Sequence, residues 1–572
     1  MLDFYRDPFA VYGTFITLNY CVKETWDYSV APRETGLYLQ NEASPVRGGN
    51  VGRFAILRDG KELDYRGEFR PGLLRLSADG AYVEVTYDND RTMRFRGKGC
   101  EFEFQMTYKF LDMPGLLTYG ENRCYMNSNN ERTQLMFTAL TGRLSVSPLS
   151  PELREGVRSI RISSNSEWEL AMESFTGVWQ ERDYPRSFEE CAQFWEAHYQ
   201  EFCKGFGGVA EKYQEALRDA AYILWSATVK KNGLMKRDAI YMSRRRMRNL
   251  WSWDHCYNAM SLADVHPDLA WDQLCIPFDF QDEFGRMPDS MNMNDVNWTF
   301  TKPPIQGSTL TEMLKHGKIS DEQLEWLYPR LALATEYWFK YSDWDGDGLC
   351  QYENGNSSGW DNCTYFTIDG PFESAELAGF LVLQMEALAA VADRLGKTRE
   401  AGLWRQRAAA HVDALVEHFW DGTQMRVLQS GTHIQAENCD SLLPFLVLFL
   451  GHRLPKAVFD KLVEELTTPG RFITPYGIAT EGMGSPWFGD DSYWRGSIWP
   501  TPMHMLITGL YDGGEKELAI KLAQDFCDNV VKEGFAENFS PIDGRALCDT
   551  AYTWTASVFI LVAQFLYEQG DR

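Results

Sequence analysis

Ser187-Phe188-Glu189-Glu190-Cys191-Ala192-Gln193-Phe194-Trp195 is where the chain changes period. Its apolar residues recur at helical spacing, and Tyr213-Gln214-Glu215-Ala216-Leu217 continues the pattern. Ahead of it the period is two. Arg53-Phe54-Ala55-Ile56-Leu57-Arg58 and Tyr82-Val83-Glu84-Val85-Thr86-Tyr87 alternate between the turn signals Asp59-Gly60, Asp79-Gly80 and Asp88-Asn89-Asp90. Strand-like runs follow at Glu101–Phe110, Leu135–Val146 and Val157–Ser163. Short strands at hairpin spacing, without helices between them, predict an antiparallel β-sandwich.

Behind the boundary, helical segments recur at 211–228, 255–264, 308–317, 321–342, 373–395, 398–419, 436–450, 455–466, 493–511, 514–532 and 550–569. The residues with distinctive chemistry lie in the loops between them. That arrangement suits a toroid of paired helices, with an irregular helical bundle as the alternative. The expected fold is mostly α with an N-terminal all-β domain. Residues 1–180 form the β domain, 181–210 a linker containing helix, and 211–572 the helical catalytic domain.

At 572 residues the chain exceeds one ordinary core. A net charge of −25, from 56 basic and 81 acidic residues, argues against nucleic acid or an anionic membrane as partner. The opening Met1-Leu2-Asp3-Phe4-Tyr5-Arg6-Asp7 has no basic region followed by an apolar run. Leu442–Leu450 is the nearest approach to the ~18 apolar residues of a membrane span. The 12 Cys show neither CxxC pairs nor zinc spacing and read as reduced thiols, so a cytoplasmic protein is expected. The 19 Trp exceed ordinary needs; sugar-ring stacking is one use for them and packing between helices the other.

Five loops carry the chemistry. The central one is Ser357-Ser358-Gly359-Trp360-Asp361-Asn362, where an indole beside Asp361 would desolvate the carboxyl and favour a general acid. The plainer reading is a helix-capping Asp. In Asn249-Leu250-Trp251-Ser252-Trp253-Asp254-His255, two indoles and a carboxylate can clamp a polyol, or Asp254 is an N-cap. The arginines 244–246 just upstream read as a solvated or ion-paired face. Lys302-Pro303-Pro304-Ile305-Gln306-Gly307 is held extended by its diproline and offers the Gln306 amide. Tyr493-Trp494-Arg495-Gly496-Ser497-Ile498-Trp499 forms a second aromatic clamp. Ala536-Glu537-Asn538-Phe539 presents another carboxylate, with Tyr552-Thr553-Trp554-Thr555 beyond it. Asp343, Asp345 and Asp347 alternate before Gly348 like the first half of a calcium loop, but Asn354 stands where the closing Glu belongs. Two carboxylates on aromatic loops, with no Ser/His/Asp spacing, phosphate cradle or dinucleotide fingerprint, point to glycoside hydrolysis.

The ordered set Trp253-Asp254, Pro303-Pro304, Asp345-Gly346-Asp347-Gly348-Leu349, Ser358-Gly359-Trp360-Asp361-Asn362, Tyr493-Trp494-Arg495-Gly496 with Trp499-Pro500, and Glu537-Asn538-Phe539 resembles glycoside hydrolase family 63 and its clan G relative trehalase. That group includes mannosylglycerate hydrolases and processing α-glucosidase I. The resemblance implies an (α/α)6 barrel behind a β-sandwich and hydrolysis of an α-glycoside with inversion. It implies Asp361 as general acid and Glu537 as the base that activates water, about 6.5–9.5 Å apart. Trp360, Trp494, Arg495 and Trp499 would line the sugar subsite, with Asp254 and Gln306 on its hydroxyls. Trp251, Trp253, Gly307, Asn362, Gly496 and Trp554 would complete it. Where the family often carries an aromatic and a Glu ahead of Ser-Gly, this chain has Asn354-Gly355-Asn356-Ser357.

The expected activity is that of an inverting α-glucosidase on a small oligosaccharide or glycoside. The chemistry requires no cofactor, and a structural calcium at Asp343, Asp345 and Asp347 is the one ion suggested. The alternatives are a phosphorylase, which would release a sugar 1-phosphate, and a carbohydrate-binding protein without catalysis. The oligomeric state is left open.

Overall fold

The computed structural model describes residues 2–23, 34–42, 49–109, 114–129, 131–148 and 155–571. Met1 and Phe110, both within stretches read above, lie outside the described residues. The N-terminal region folds into two antiparallel sheets. One orders Ile16–Cys21, Gly36–Asn41, Asn50–Arg58, Glu101–Lys109, Glu155–Ser163 and Arg143–Val146, with Lys61–Glu62 beside Asn50–Arg58. The other orders Gly115–Tyr119, Arg123–Ser128, Thr133–Thr141, Glu167–Phe175, Thr92–Lys98, Ala81–Asn89, Leu73–Ala78 and Arg66–Arg70. Two hairpins turn where the Asp-Gly pairs predict. Asp59-Gly60 and Asp79-Gly80 all have positive φ, as a two-residue hairpin turn requires, leaving Arg58 paired with Lys61 and Ala78 with Ala81. The inner faces meet through rings: Phe54 lies 5.3 Å from Phe95, Phe104 5.5 Å from Phe137, and Phe102 stacks 5.7 Å from Trp168.

The change of period falls on Phe188–Phe202, which is a helix. The Ser187 hydroxyl accepts from Glu190 N–H, and Ser187 N–H donates to the Glu190 carboxylate, a reciprocal cap. Its Trp195 indole donates to Tyr87 O at 2.7 Å, so the helix is tied to the second sheet rather than swinging free.

Beyond it come helices Gln214–Ala227, His255–Leu262, Pro267–Asp279, Gln306–Leu314, Asp321–Tyr341, Ala375–Arg394, Thr398–Phe419, Lys456–Leu466, Pro500–Gly513, Lys516–Glu533 and Thr553–Glu568, with a 3-10 run at Leu443–Arg453. Their contacts follow a cycle. His255–Leu262 packs on Gln306–Leu314, that on Ala375–Arg394, that on Leu443–Arg453, that on Pro500–Gly513, that on Thr553–Glu568, and that again on His255–Leu262. Three differences from expectation have local causes. Pro267–Asp279 escaped detection because Pro267 opens it and Pro277 sits near its end. Residues 493–499 are a loop, since Tyr493 has a φ of 61° and Pro500 occupies the first helical position. The 436–450 segment contains 3-10 rather than α structure, from Leu443. By length and composition Ala375–Arg394 would pass for a membrane span, contrary to the reading that none is long enough. Yet 83% of its most apolar window is buried inside the protein.

Of the solvated and ion-paired readings of the arginines 244–246, the ion-paired one holds for Arg244, which is buried rather than on a face. Arg244 is 1% exposed and pairs with the buried Glu42 carboxylate of the N-terminal region. It also donates to Ser226 O (2.7 Å), Thr14 O and Thr17 Oγ1 (both 2.8 Å). Arg245 donates to the backbone oxygens of Arg6 and Tyr20. The pair thus fastens sheet to helices. Arg244→Met, which takes from the buried Glu42 its direct ion-pair partner and leaves only Arg248 as a neighbouring charge, should lower stability by about 3 kcal/mol. A urea midpoint unchanged from wild type would contradict this, and Glu42→Gln in the same background should recover part of the loss. The 12 cysteines are free thiols.

Candidate active site

Four of the five loops end at the N-termini of the cyclic elements, Asp254 before His255–Leu262, Gln306 opening Gln306–Leu314, Trp499 before Pro500–Gly513 and Tyr552 before Thr553–Glu568, while Asp361 precedes Ala375–Arg394 by way of the turn Thr364–Thr367 and the strand Phe372–Ser374. They therefore gather at one end. Glu537 is almost fully buried, and its backbone is fixed on both sides. Its N–H donates to Asp549 O at 2.8 Å, and its carbonyl accepts from the Trp554 indole at 3.1 Å. Its carboxylate accepts from Asp549 N–H at 3.3 Å and faces the Tyr493 hydroxyl at 3.4 Å. Burial, reinforced by the Asp549 charge, pushes the Glu537 carboxyl up to about 8.

Asp254 is 4% exposed and makes no side-chain cap to its helix, so the N-cap reading fails. Its Oδ2 is buried without a hydrogen-bond partner. Burial pushes its carboxyl up to about 7; Lys302 opposes the rise, while Asp289 and Asp361 add to it. Asp254 in turn raises Glu537. The three carboxyls Asp254, Asp361 and Glu537 are thus linked through one field. Asp361 itself is exposed, whereas its neighbour Trp360 is buried. The expected desolvation falls on Glu537 and Asp254 instead, because the loop turns the carboxyl outwards and the indole in.

Gln306 is 1% exposed. Its amide donates to Ser252 O at 2.6 Å and its Oε1 has no partner. Two buried acceptors, Asp254 Oδ2 and Gln306 Oε1, are therefore left for a ligand's hydroxyls to satisfy. Gly307 has a packing reason: a Cβ there would stand 2.4 Å from Gln384 Cα. Gly359, at a φ of 79°, lets the turn lie against Trp253, whose Cζ2 would be 2.7 Å from an added Cβ.

The indoles pack on one another. Trp494 and Trp499 stack at 3.9 Å with 4° between planes, Trp360 lies 4.6 Å from Trp494, and Trp554 meets Trp499 and Trp253 edge-on. They form a buried aromatic bed, with Trp251 only partly covered. Asn362 joins two loops. Its side chain donates to Ser492 O (3.1 Å) and accepts from Trp494 N–H (2.9 Å), and its carbonyl accepts from Arg495 Nε (2.6 Å). Gly496 N–H donates to Thr480 Oγ1 at 3.2 Å.

Sequence reasoning missed Lys302, Asp289, Tyr493 and Asp549 as contributors. Lys302 is buried, paired with Asp289 at 3.2 Å, and donates to Asn356 O. A lysine directly before the diproline was its only signal. Asp343 and Asp347 spend oxygens on their own turn: Asp343 accepts from Gly346 and Gly348 N–H, Asp347 Oδ1 from Leu349 N–H.

Residues 247–555 match the family described as the mannosylglycerate hydrolase MGH1-like glycoside hydrolase domain. The chain is 22% identical over 390 residues to mannosylglycerate hydrolase MGH2 of Selaginella moellendorffii, covering 54% of this chain and 78% of that protein. Among solved structures, the family 63 mannosylglycerate hydrolase of Thermus thermophilus with bound glucose aligns at a TM-score of 0.52 and 17% identity, over 60% of this chain and 99% of that one. A bacterial glucoamylase complexed with acarbose aligns at a TM-score of 0.64 and 11% identity, over 99% of this chain and 96% of that one. The sheets followed by helices are thus a glucoamylase-like fold.

Proposed function

This chain belongs to the mannosylglycerate hydrolase MGH1-like glycoside hydrolases of family 63, and from that premise we propose that it hydrolyses a small α-glucoside with inversion at the anomeric carbon. The observation that carries the reading is the linked carboxyl set, with the buried Glu537 facing a site that holds two unpartnered acceptors. Asp361, on the solvent side, protonates the departing glycosidic oxygen. Glu537 takes a proton from the water that attacks the opposite face. Asp254 and Gln306 accept hydroxyls of the sugar, and the aromatic bed sets the floor beneath them. The cyclic helix contacts support an (α/α)6 barrel whose inner helices are the six elements of that cycle.

Proton NMR of the full chain with α-linked disaccharides, glucosylglycerate and mannosylglycerate tests this. Early β-anomer supports inversion; early α-anomer overturns the roles given to the two carboxyls. A second reading, hydrolysis of mannosylglycerate itself, is favoured by what the relatives are named for, and the same panel separates it from an α-glucosidase.

The pH dependence has a definite shape. A base works when ionised and an acid when protonated, so kcat/KM should be bell-shaped in pH, with the raised Glu537 carboxyl placing one limb towards 8 rather than near the ~4.3 of an ordinary glutamate. Because Glu537 and Asp254 share a field, the limb reports the pair. Asp254→Asn removes a like charge and should move the limb to lower pH, whatever it does to the maximal rate. No limb near 8 in the wild type would mean that Glu537 is solvated in the working enzyme, and an unmoved limb in Asp254→Asn would mean that the two carboxyls do not share a field.

A further inference from the structure

Away from the acid and base, Asp347, Glu373, His418 and His433 converge, each with a ligand atom within 4.8 Å of every other. They come from three segments. Asp345 and Asp347 lie on the turn after Asp321–Tyr341, and Glu373 on the central strand of the small sheet Gln351–Tyr352, Phe372–Ser374, Val427–Gln429. His418 and His433 flank the third strand of that sheet. Glu373 is 0% exposed. Its Oε2 lies 3.0 Å from His418 Nε2 and 3.8 Å from His433 Nε2, while its Oε1 is buried with no partner at all. Asp347 Oδ2 lies 3.5 Å from His418 Nδ1 and 3.6 Å from His433 Nε2, and Asp345 Oδ2 lies 3.2 Å from the latter. Among the described residues no lysine or arginine pairs with these three carboxylates; their ionic partners are the two histidines, and Asp345 Oδ2 also accepts from Gly431 N–H at 2.8 Å.

We propose that His418, His433, Glu373 and Asp347 bind a divalent cation of the zinc class, with Asp345 beside them. Zinc bonds of about 2.0–2.1 Å place tetrahedral ligands roughly 3.3–3.4 Å apart, and the ligand atoms here, within 4.8 Å of one another, would draw together around the ion. Two imidazoles with carboxylates suit such a metal and not calcium, which takes oxygen ligands. The turn's remaining oxygens, on Asp343 and Asp347 Oδ1, are already held by backbone N–H groups. The ion joins the turn to the central strand and to both flanks of the third, and the first strand, paired with the central one, leads into the loop carrying Asp361. It would position that loop without touching the sugar.

The full chain, stripped with a chelator and then given Zn2+ alone or Ca2+ alone, tests this by calorimetric titration and thermal unfolding. One zinc per chain should bind and raise Tm, and calcium at equal concentration should not reproduce the shift. His433→Gln, at the more exposed ligand, should weaken zinc binding at least ~10-fold with the circular dichroism spectrum retained. Equal or stronger stabilisation by calcium, no zinc-dependent shift, or zinc binding unaltered in folded His433→Gln would each overturn the site. The wild-type zinc–calcium comparison stands even where a variant fails to fold, and none of these readouts depends on the glycosidase reading.

Discussion

Glu537→Gln is expected to lower kcat by roughly 10²–10⁴-fold on every substrate, whatever its leaving group, because Glu537 is the group proposed to take the proton from water. Sugar binding, read by calorimetry with a non-hydrolysed monosaccharide, should change little. The same substitution should stabilise the fold at alkaline pH. The folded-state carboxyl is raised by burial from 4.5 to about 8, so between those values the folded chain holds a proton that the unfolded chain releases. That contribution is complete below the unfolded value and is lost as pH climbs through the folded one. Glutamine never ionises, so the variant should unfold at a higher temperature than wild type at pH 9 and at about the same temperature at pH 4. Equal melting temperatures at both would mean that Glu537 is solvated in the folded chain. Retention of full turnover would remove it from the chemistry altogether.

Asp361→Asn should behave differently. A general acid matters in proportion to how badly the leaving oxygen needs a proton. On an alkyl glycoside or disaccharide the loss should again be roughly 10²–10⁴-fold, whereas an activated aryl α-glycoside should retain most of its rate. Paired kinetics on the two substrate types decide the role. An equal loss on both would make Asp361 a binding residue, and no loss on either would exclude it from the acid role.

The legible parts of this chain were those set by neighbours in sequence. Asp59-Gly60 and Asp79-Gly80 announce hairpins because few residues tolerate positive φ twice in succession. Ser187 and Glu190 stand three apart at the head of an apolar period, and the helix begins there. The loops named from local chemistry, those of Trp253, Gln306, Asp361, Trp494 and Glu537, all lie just ahead of, or among, the elements of the cyclic set. What stayed hidden depends on distant partners. Arg244 looks like surface charge until Glu42, some 200 positions away, is folded onto it. Trp360 and Asp361 are adjacent, yet one is buried and the other exposed, a division no spacing rule contains. Residues 493–499 carry enough aromatics to mimic a helical face, but Tyr493 and Gly496 at positive φ, with Pro500 opening the helix, break it. Asp549 has no local signature and Lys302 only its place before the diproline, since their importance lies in facing carboxyls brought in from other loops.

Trp494 and Trp499 are also a pair of chromophores. Two indoles face to face at 3.9 Å and nearly parallel are close enough for their electronic transitions to mix. The exciton couplet this produces in circular dichroism belongs to the pair, not to either ring alone. The 488–500 loop therefore carries its own optical label, one that changes on loss of either indole and fades if the loop unfastens, so its order can be followed in solution before any substrate is known.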